Sequence, residues 1–111
     1  MNDDNISGDF WEKFNFSGNV VYKETWLDED MLMVEYPEKL TLDAGFYNGI
    51  FRVYIIWDCN WQSPVAEYTC KTVENFEKLI NLATEQIEKE IRQKRFSYYG
   101  KIWETIRINY D

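Results

Sequence analysis

A chain of 111 residues, 45% apolar and 18% aromatic, has bulk enough for one hydrophobic core, which argues against disorder and predicts a single domain over residues 1–111. Its net charge of −8 argues against direct contact with nucleic acid or an anionic membrane surface, since both want clustered Lys and Arg. With no histidine and two cysteines, the commonest general base and metal ligand and any disulfide framework are missing, so no catalytic, cofactor-binding or metal residues are expected.

Residues 1–8 are polar and read as a frayed lead. They have neither the basic start nor the apolar segment of an export signal, and no stretch reaches the ~20 apolar residues of a membrane span. The expected location is therefore the cytoplasm. Residues 9–16 predict a short helix capped by Asp9, with Phe10 and Phe14 one turn apart. Residues 20–27 alternate, placing Val20, Tyr22 and Trp26 on one face of a strand. Asp28, Glu29 and Asp30 make a charged turn, and residues 31–36 return as a second strand stopped by Pro37. Leu40, Leu42, Ala44 and Phe46 alternate with Thr41, Asp43, Gly45 and Tyr47, and Asn48-Gly49 then signals a type I′ hairpin. Residues 50–57 form the clearest strand, with Phe51, Val53, Ile55 and Trp57 on one side. After a loop over residues 58–64, Ala66, Tyr68 and Cys70 share a face. Matching that face to the previous strand pairs Trp57 with Ala66 and Val53 with Cys70, leaving Cys59 and Cys70 as free thiols on the order of 20 Å apart.

The period then changes from two to between three and four. Val73, Phe76, Ile80, Ala83, Ile87 and Ile91 stripe one long amphipathic helix, with Thr72 as N-cap and Arg92, Lys94 and Arg95 at its C-terminal end. For residues 96–111 the stripe Ile102, Trp103, Ile106 and Tyr110 favours a second helix after a break near Gly100, although residues 105–110 also alternate like a strand. These elements predict an α+β fold: an antiparallel meander of about five strands packed on a long C-terminal amphipathic helix in a two-layer sandwich.

No acid-base pair suggests itself. Asp28, Glu29 and Asp30 are consecutive, as in a solvated turn, and lack the spacing of a calcium loop. Cys59 has no histidine to form an ion pair, and Asp58 beside it disfavours the thiolate. Trp61 is balanced between folding back on the core and standing out as an exposed anchor. The basic stretch Arg92–Arg95 with Phe96, Tyr98 and Tyr99 is better explained by the helix dipole than as a nucleic-acid patch.

The charge is unevenly distributed. Residues 1–67 hold thirteen acids against four bases, a net −9, while residues 68–111 hold seven against eight, a net +1. An acid-rich strand region with aromatic anchors suits a basic protein partner better than a small-molecule reaction, and no enzyme is expected. The expected partner-binding residues are Asp28, Glu29, Asp30, Glu35, Glu38, Asp43, Asp58 and Trp61. In size, acidity, lack of a signal segment and the aromatic run Phe51–Asp58, the chain resembles the immunity proteins of bacterial toxin systems, including those of contact-dependent growth inhibition. That resemblance implies a cytoplasmic inhibitor, an antitoxin by protein–protein interaction, that occludes a nuclease toxin's active or substrate-binding site; it carries no site residues with it. Two other readings stand beside it. One is a nucleic-acid-mimicking anti-defence protein; the other is a small ligand-binding or adaptor α+β domain.

Overall fold

A computed structural model describes residues 5–93 and 104–111. Six strands form one sheet in chain order: β1 (Asn19–Lys23), β2 (Leu32–Glu35), β3 (Leu40–Tyr47), β4 (Ile50–Trp57), β5 (Ala66–Cys70) and β6 (Ile106–Tyr110). Neighbours β1 to β5 run antiparallel and β6 lies parallel to β5. One helix, α1 (Val73–Gln93), covers a single face of the sheet over β3, β4 and β5. The class is α+β, as the patterning predicts.

The inner face is built by the residues whose period reads as apolar. Leu42, Ala44, Val53, Ile55, Ala66 and Tyr68 are buried there against Phe76, Leu79, Ile80, Ala83 and Ile87 of α1. Thr72 caps the helix, its Oγ1 accepting from the Asn75 N–H at 3.2 Å. The stripe differs from expectation at its margins: Val73 is exposed, and Leu79 and Glu90 are buried beside it. Glu90 accepts from Gln86 Nε2 at 2.7 Å and its charge lies near Tyr68 of β5. Asn48 and Gly49 both take positive φ, +56° and +80°, which is the type I′ requirement at this hairpin.

Four expectations are corrected. The helix is not terminal, because residues 106–110 form β6 rather than continuing a second helix. Their alternation decides it: Ile106 and Ile108 pack on the core, while Arg107 and Asn109 face outward and bond to Glu67 and Thr69 of β5. Of the proposed helical stripe, Ile102 and Trp103 lie outside the described residues, as does the basic stretch from Lys94 onward. The β4–β5 register is shifted by two, pairing Ile55 with Ala66 and Phe51 with Cys70. A two-residue slip keeps every side chain on its face, so pattern alone could not detect it. The extra length goes into the loop, where Asp58 and Cys59 take positive φ and Asn60 Oδ1 accepts from the Ser63 N–H at 3.3 Å. Cys59 is exposed and Cys70 buried, and both thiols are free.

The third correction concerns residues 9–13. The short helix is a 3-10 turn, Phe10–Lys13, which Asp9 does not cap through its side chain; the Asp9 carboxylate instead accepts from Ser7 Oγ. Within the lead expected to fray, Ile6 is buried and its N–H donates to the Thr25 carbonyl at 2.7 Å. The fourth is on β1, where an irregularity between Val20 and Tyr22 puts the two on opposite faces. Val20 pairs with Val34 on the inner side, and Tyr22 pairs with Met33 on the outer side. Trp26, expected on the same face, lies beyond the strand end and is 58% exposed.

Candidate functional site

The sheet face away from α1 holds the site. Directly opposed residues form one row across all six strands: Tyr22, Met33, Asp43, Tyr54, Glu67 and Arg107. Because side chains alternate, every member of this row points away from the helix. The row is electrostatically polarised. Glu67 is tied to Arg107 and lies 4.0 Å from Arg52, and the Tyr54 hydroxyl donates to it at 3.4 Å, so the β4–β6 half is neutralised internally.

The β1–β3 half is not. Residues 24–31 connect β1 to β2 and fold onto the end of β3, where the Phe46 N–H donates to the Asp28 carbonyl at 2.7 Å and the Met31 N–H donates to the Ala44 carbonyl at 2.9 Å. The connection rests directly on Gly45: a Cβ built there would collide with the Glu29 carbonyl. Glycine at this position is therefore what allows Asp28, Glu29 and Asp30 to lie beside Asp43. Gly45→Ala is expected to cost about 1–3 kcal/mol in urea unfolding, the usual penalty for overpacking, because backbone must move to make room. Wild-type stability in that variant would show that the connection does not bear on Gly45.

Four acids gather here. Asp28, Glu29 and Asp30 are exposed and Asp43 is 7% exposed. Burial pushes the Asp43 carboxyl up to about 7, with the Asp30 charge adding to the effect. Burial likewise pushes the Tyr22 hydroxyl up to about 12, helped by the carboxylates of Asp43, Asp30 and Asp28. None of the four acids forms an ion pair with a described residue. Glu29, Asp30, Asp43, Phe46, Tyr47, Arg52 and Tyr54 line an open pocket of about 400 Å³.

The expected partner-binding residues fall into three places. Asp28, Glu29, Asp30 and Asp43 come together as described. Glu35 and Trp61 share the outer face at a distance from them; Glu35 pairs across to Thr41, and the Trp61 ring meets Tyr54 edge-on, centroids 6.3 Å apart. Trp61 is half exposed and packs on the outer side of the sheet, so it neither covers the core nor stands free. Glu38 and Asp58 lie at the opposite end of the strands, where Asp58 is 3.9 Å from Lys39. Sequence reasoning missed Tyr22, Arg52 and Tyr54. The period-two pattern of β4 already placed Arg52 and Tyr54 opposite Phe51, Val53 and Ile55, so that signal was present, whereas Tyr22 was hidden by the irregularity in β1.

Chemically, the arrangement presents acceptors, aromatic faces and two tethered guanidinium groups. Among the described residues no cluster of three or more His, Cys, Asp or Glu is placed to hold a metal ion, and no helix is long and apolar enough to cross a membrane. The class defined by fold and site is an α+β domain with one sheet face covered by a helix and the other, among the described residues, uncovered and acidic on one side. Neither models of known families, nor curated proteins, nor solved structures give a match to the chain.

Proposed function

We propose that this chain is a small acidic binding protein that neutralises a basic protein, acting as the immunity protein of a nuclease-type bacterial toxin in the cytoplasm. The observation that supports this reading is the sheet face away from α1, where Asp28, Glu29, Asp30 and Asp43 stand without cationic partners among the described residues beside Tyr22 and Tyr54. Carboxylates so placed occupy the positions at which a nuclease's Lys and Arg would grip phosphates, and aromatic side chains supply contact area at low entropic cost. The protein performs no chemistry in this scheme. It blocks by occupancy.

Long-range attraction between an acidic face and a basic partner raises association rates by roughly 10–10³ and fades as salt shortens the Debye length from about 10 Å at 0.1 M to about 3 Å at 1 M. Combined replacement Asp28→Asn, Glu29→Gln and Asp30→Asn is expected to slow association at low salt while leaving folding stability within about 0.5 kcal/mol, since the three side chains are exposed. The measurement is surface plasmon resonance against the partner identified by pull-down with the native protein and mass spectrometry. Association indifferent to salt and to the three replacements would reduce the acidic face to a solubility device and overturn the proposal.

A further inference from the structure

Asp43 asks for more than general acidity. It is 7% exposed, it lines the pocket, and no hydrogen bond or ion pair from a described residue reaches its carboxylate. The little of Asp43 that is exposed is its carboxylate, opening into the pocket, and a largely desolvated carboxylate without a partner among the described residues gains from any cation that enters. Asp30 stands exposed at the mouth of the same pocket, and Tyr54 and Tyr47 supply aromatic wall, while the Phe46 ring turns inward onto Phe51. Arg52 also lines it, but its guanidinium is directed to Glu67, 4.0 Å away.

The pocket's chemistry selects among cations. A divalent ion wants several oxygen ligands at fixed distances, and no cluster of three donors is available among the described residues. An ammonium is a compact, strongly hydrated point charge that resists entering a partly dry site. A guanidinium is planar and weakly hydrated, matches carboxylates with two parallel hydrogen bonds, and stacks on aromatic rings. We infer that the pocket receives a single arginine side chain of the basic partner, its guanidinium bonded to Asp43 at the floor and Asp30 at the mouth, its stem against Tyr54 and Tyr47. The identity of the donor as a partner protein rests on the proposed function; the guanidinium preference does not.

The inference carries a pH signature. Asp43 is faced by Asp28, Glu29 and Asp30 from the β1–β2 connection, by Tyr22 from β1, and by Arg52 and Tyr54 from β4. Pairing with a guanidinium requires the ionised carboxylate, so binding releases a proton from Asp43 wherever it is still protonated, while arginine itself does not titrate. Affinity therefore rises with pH through the neutral range.

The probe is Nα-acetyl-arginine amide titrated into the native protein and followed by amide chemical shifts in two-dimensional NMR. We expect saturable shifts at Asp30, Asp43 and Tyr54, with binding about tenfold tighter at pH 8 than at pH 5.5. Nα-acetyl-lysine amide should bind several-fold more weakly. Asp43→Asn should lower affinity about tenfold or more, and its own spectrum reports that it is folded; Glu85→Gln, an equal charge change on the exposed side of α1, should not alter it. Equal binding of the two probes, or an Asp43→Asn affinity equal to the native one, overturns the inference. Probe binding that saturates the pocket while partner association ignores Asp28, Glu29 and Asp30 overturns the proposed function and leaves the pocket standing. Partner association that needs those three acids while the probe ignores Asp43 does the reverse.

Discussion

Phe76→Ala is expected to lower unfolding free energy by about 3–5 kcal/mol, which is a large share of the roughly 5–15 kcal/mol that holds a typical domain together. Phe76 is fully buried at the start of α1 and joins three parts of the chain. Its ring stacks on Phe51 of β4 with centroids 4.4 Å apart, and on Phe10 of the N-terminal 3-10 turn at 5.4 Å. It also meets Trp11 edge-on at 5.8 Å. Truncation removes the transfer energy of the ring, leaves a cavity between sheet and helix, and releases the N-terminal segment that packs there. The check is a denaturant titration in which the midpoint falls while the slope is preserved. Phe76→Leu separates two contributions: it keeps most of the apolar volume but forfeits the ring contacts, each worth about 0.5–1.5 kcal/mol beyond area. A loss below about 1 kcal/mol for the alanine variant would mean that this stripe of the helix does not face the sheet.

Asp43→Asn is expected to stabilise the protein above neutral pH. The folded carboxyl sits at about 7 against an ordinary value of 3.8, so between those values the native state holds a proton that the unfolded chain has released. Stability therefore falls as pH rises through that window, and above about pH 7 the ionised Asp43 is a standing cost. At about 1.4 kcal/mol per pKa step the cost is roughly 4 kcal/mol at most, and water entering the open pocket reduces it to about 1–3 kcal/mol. Asparagine mimics the protonated acid at every pH. The variant should gain that amount at pH 8 and lose its advantage below about pH 4. Urea unfolding of both proteins at several pH values measures the difference. A variant less stable than the native protein at pH 8 would show that Asp43 is ionised and favourably paired. An acid retained at a cost to folding fits a side chain kept for what it binds rather than for what it holds together.

Much of the architecture was legible because it depends on short-range periodicity. The alternation in β3 and β4, the positive-φ pair Asn48 and Gly49, and the helical stripe from Phe76 to Ile87 each depend on neighbours within a turn or a hairpin. The same local logic placed Thr72 as the cap, since a hydroxyl three residues before an orphan N–H needs no distant partner. The acid-rich character of the strand region is likewise a property of composition alone.

What the tertiary structure alone decided involves choices to which local pattern is indifferent. The two-residue slip between β4 and β5 changes no side chain's face, so only the packing of the 58–64 loop could select it. Residues 106–110 alternate acceptably as strand and stripe acceptably as helix; the free edge of β5 and its Glu67 and Thr69 partners tip the balance. The irregularity in β1 turns Tyr22 outward, a rotation invisible in a sequence of alternating residues. Above all, Asp43 reads in sequence as one more outward-facing acid. Only when the β1–β2 connection folds onto Gly45 does that position become buried, bringing Asp28, Glu29 and Asp30 against it. Burial is set by what lies across space, and it is burial first, with the Asp30 charge from another segment added, that raises the Asp43 carboxyl. The sequence by itself determined which residues are acidic and which face of each long strand they take; the fold determined which one of them is largely desolvated, because burial depends on segments that meet only in space.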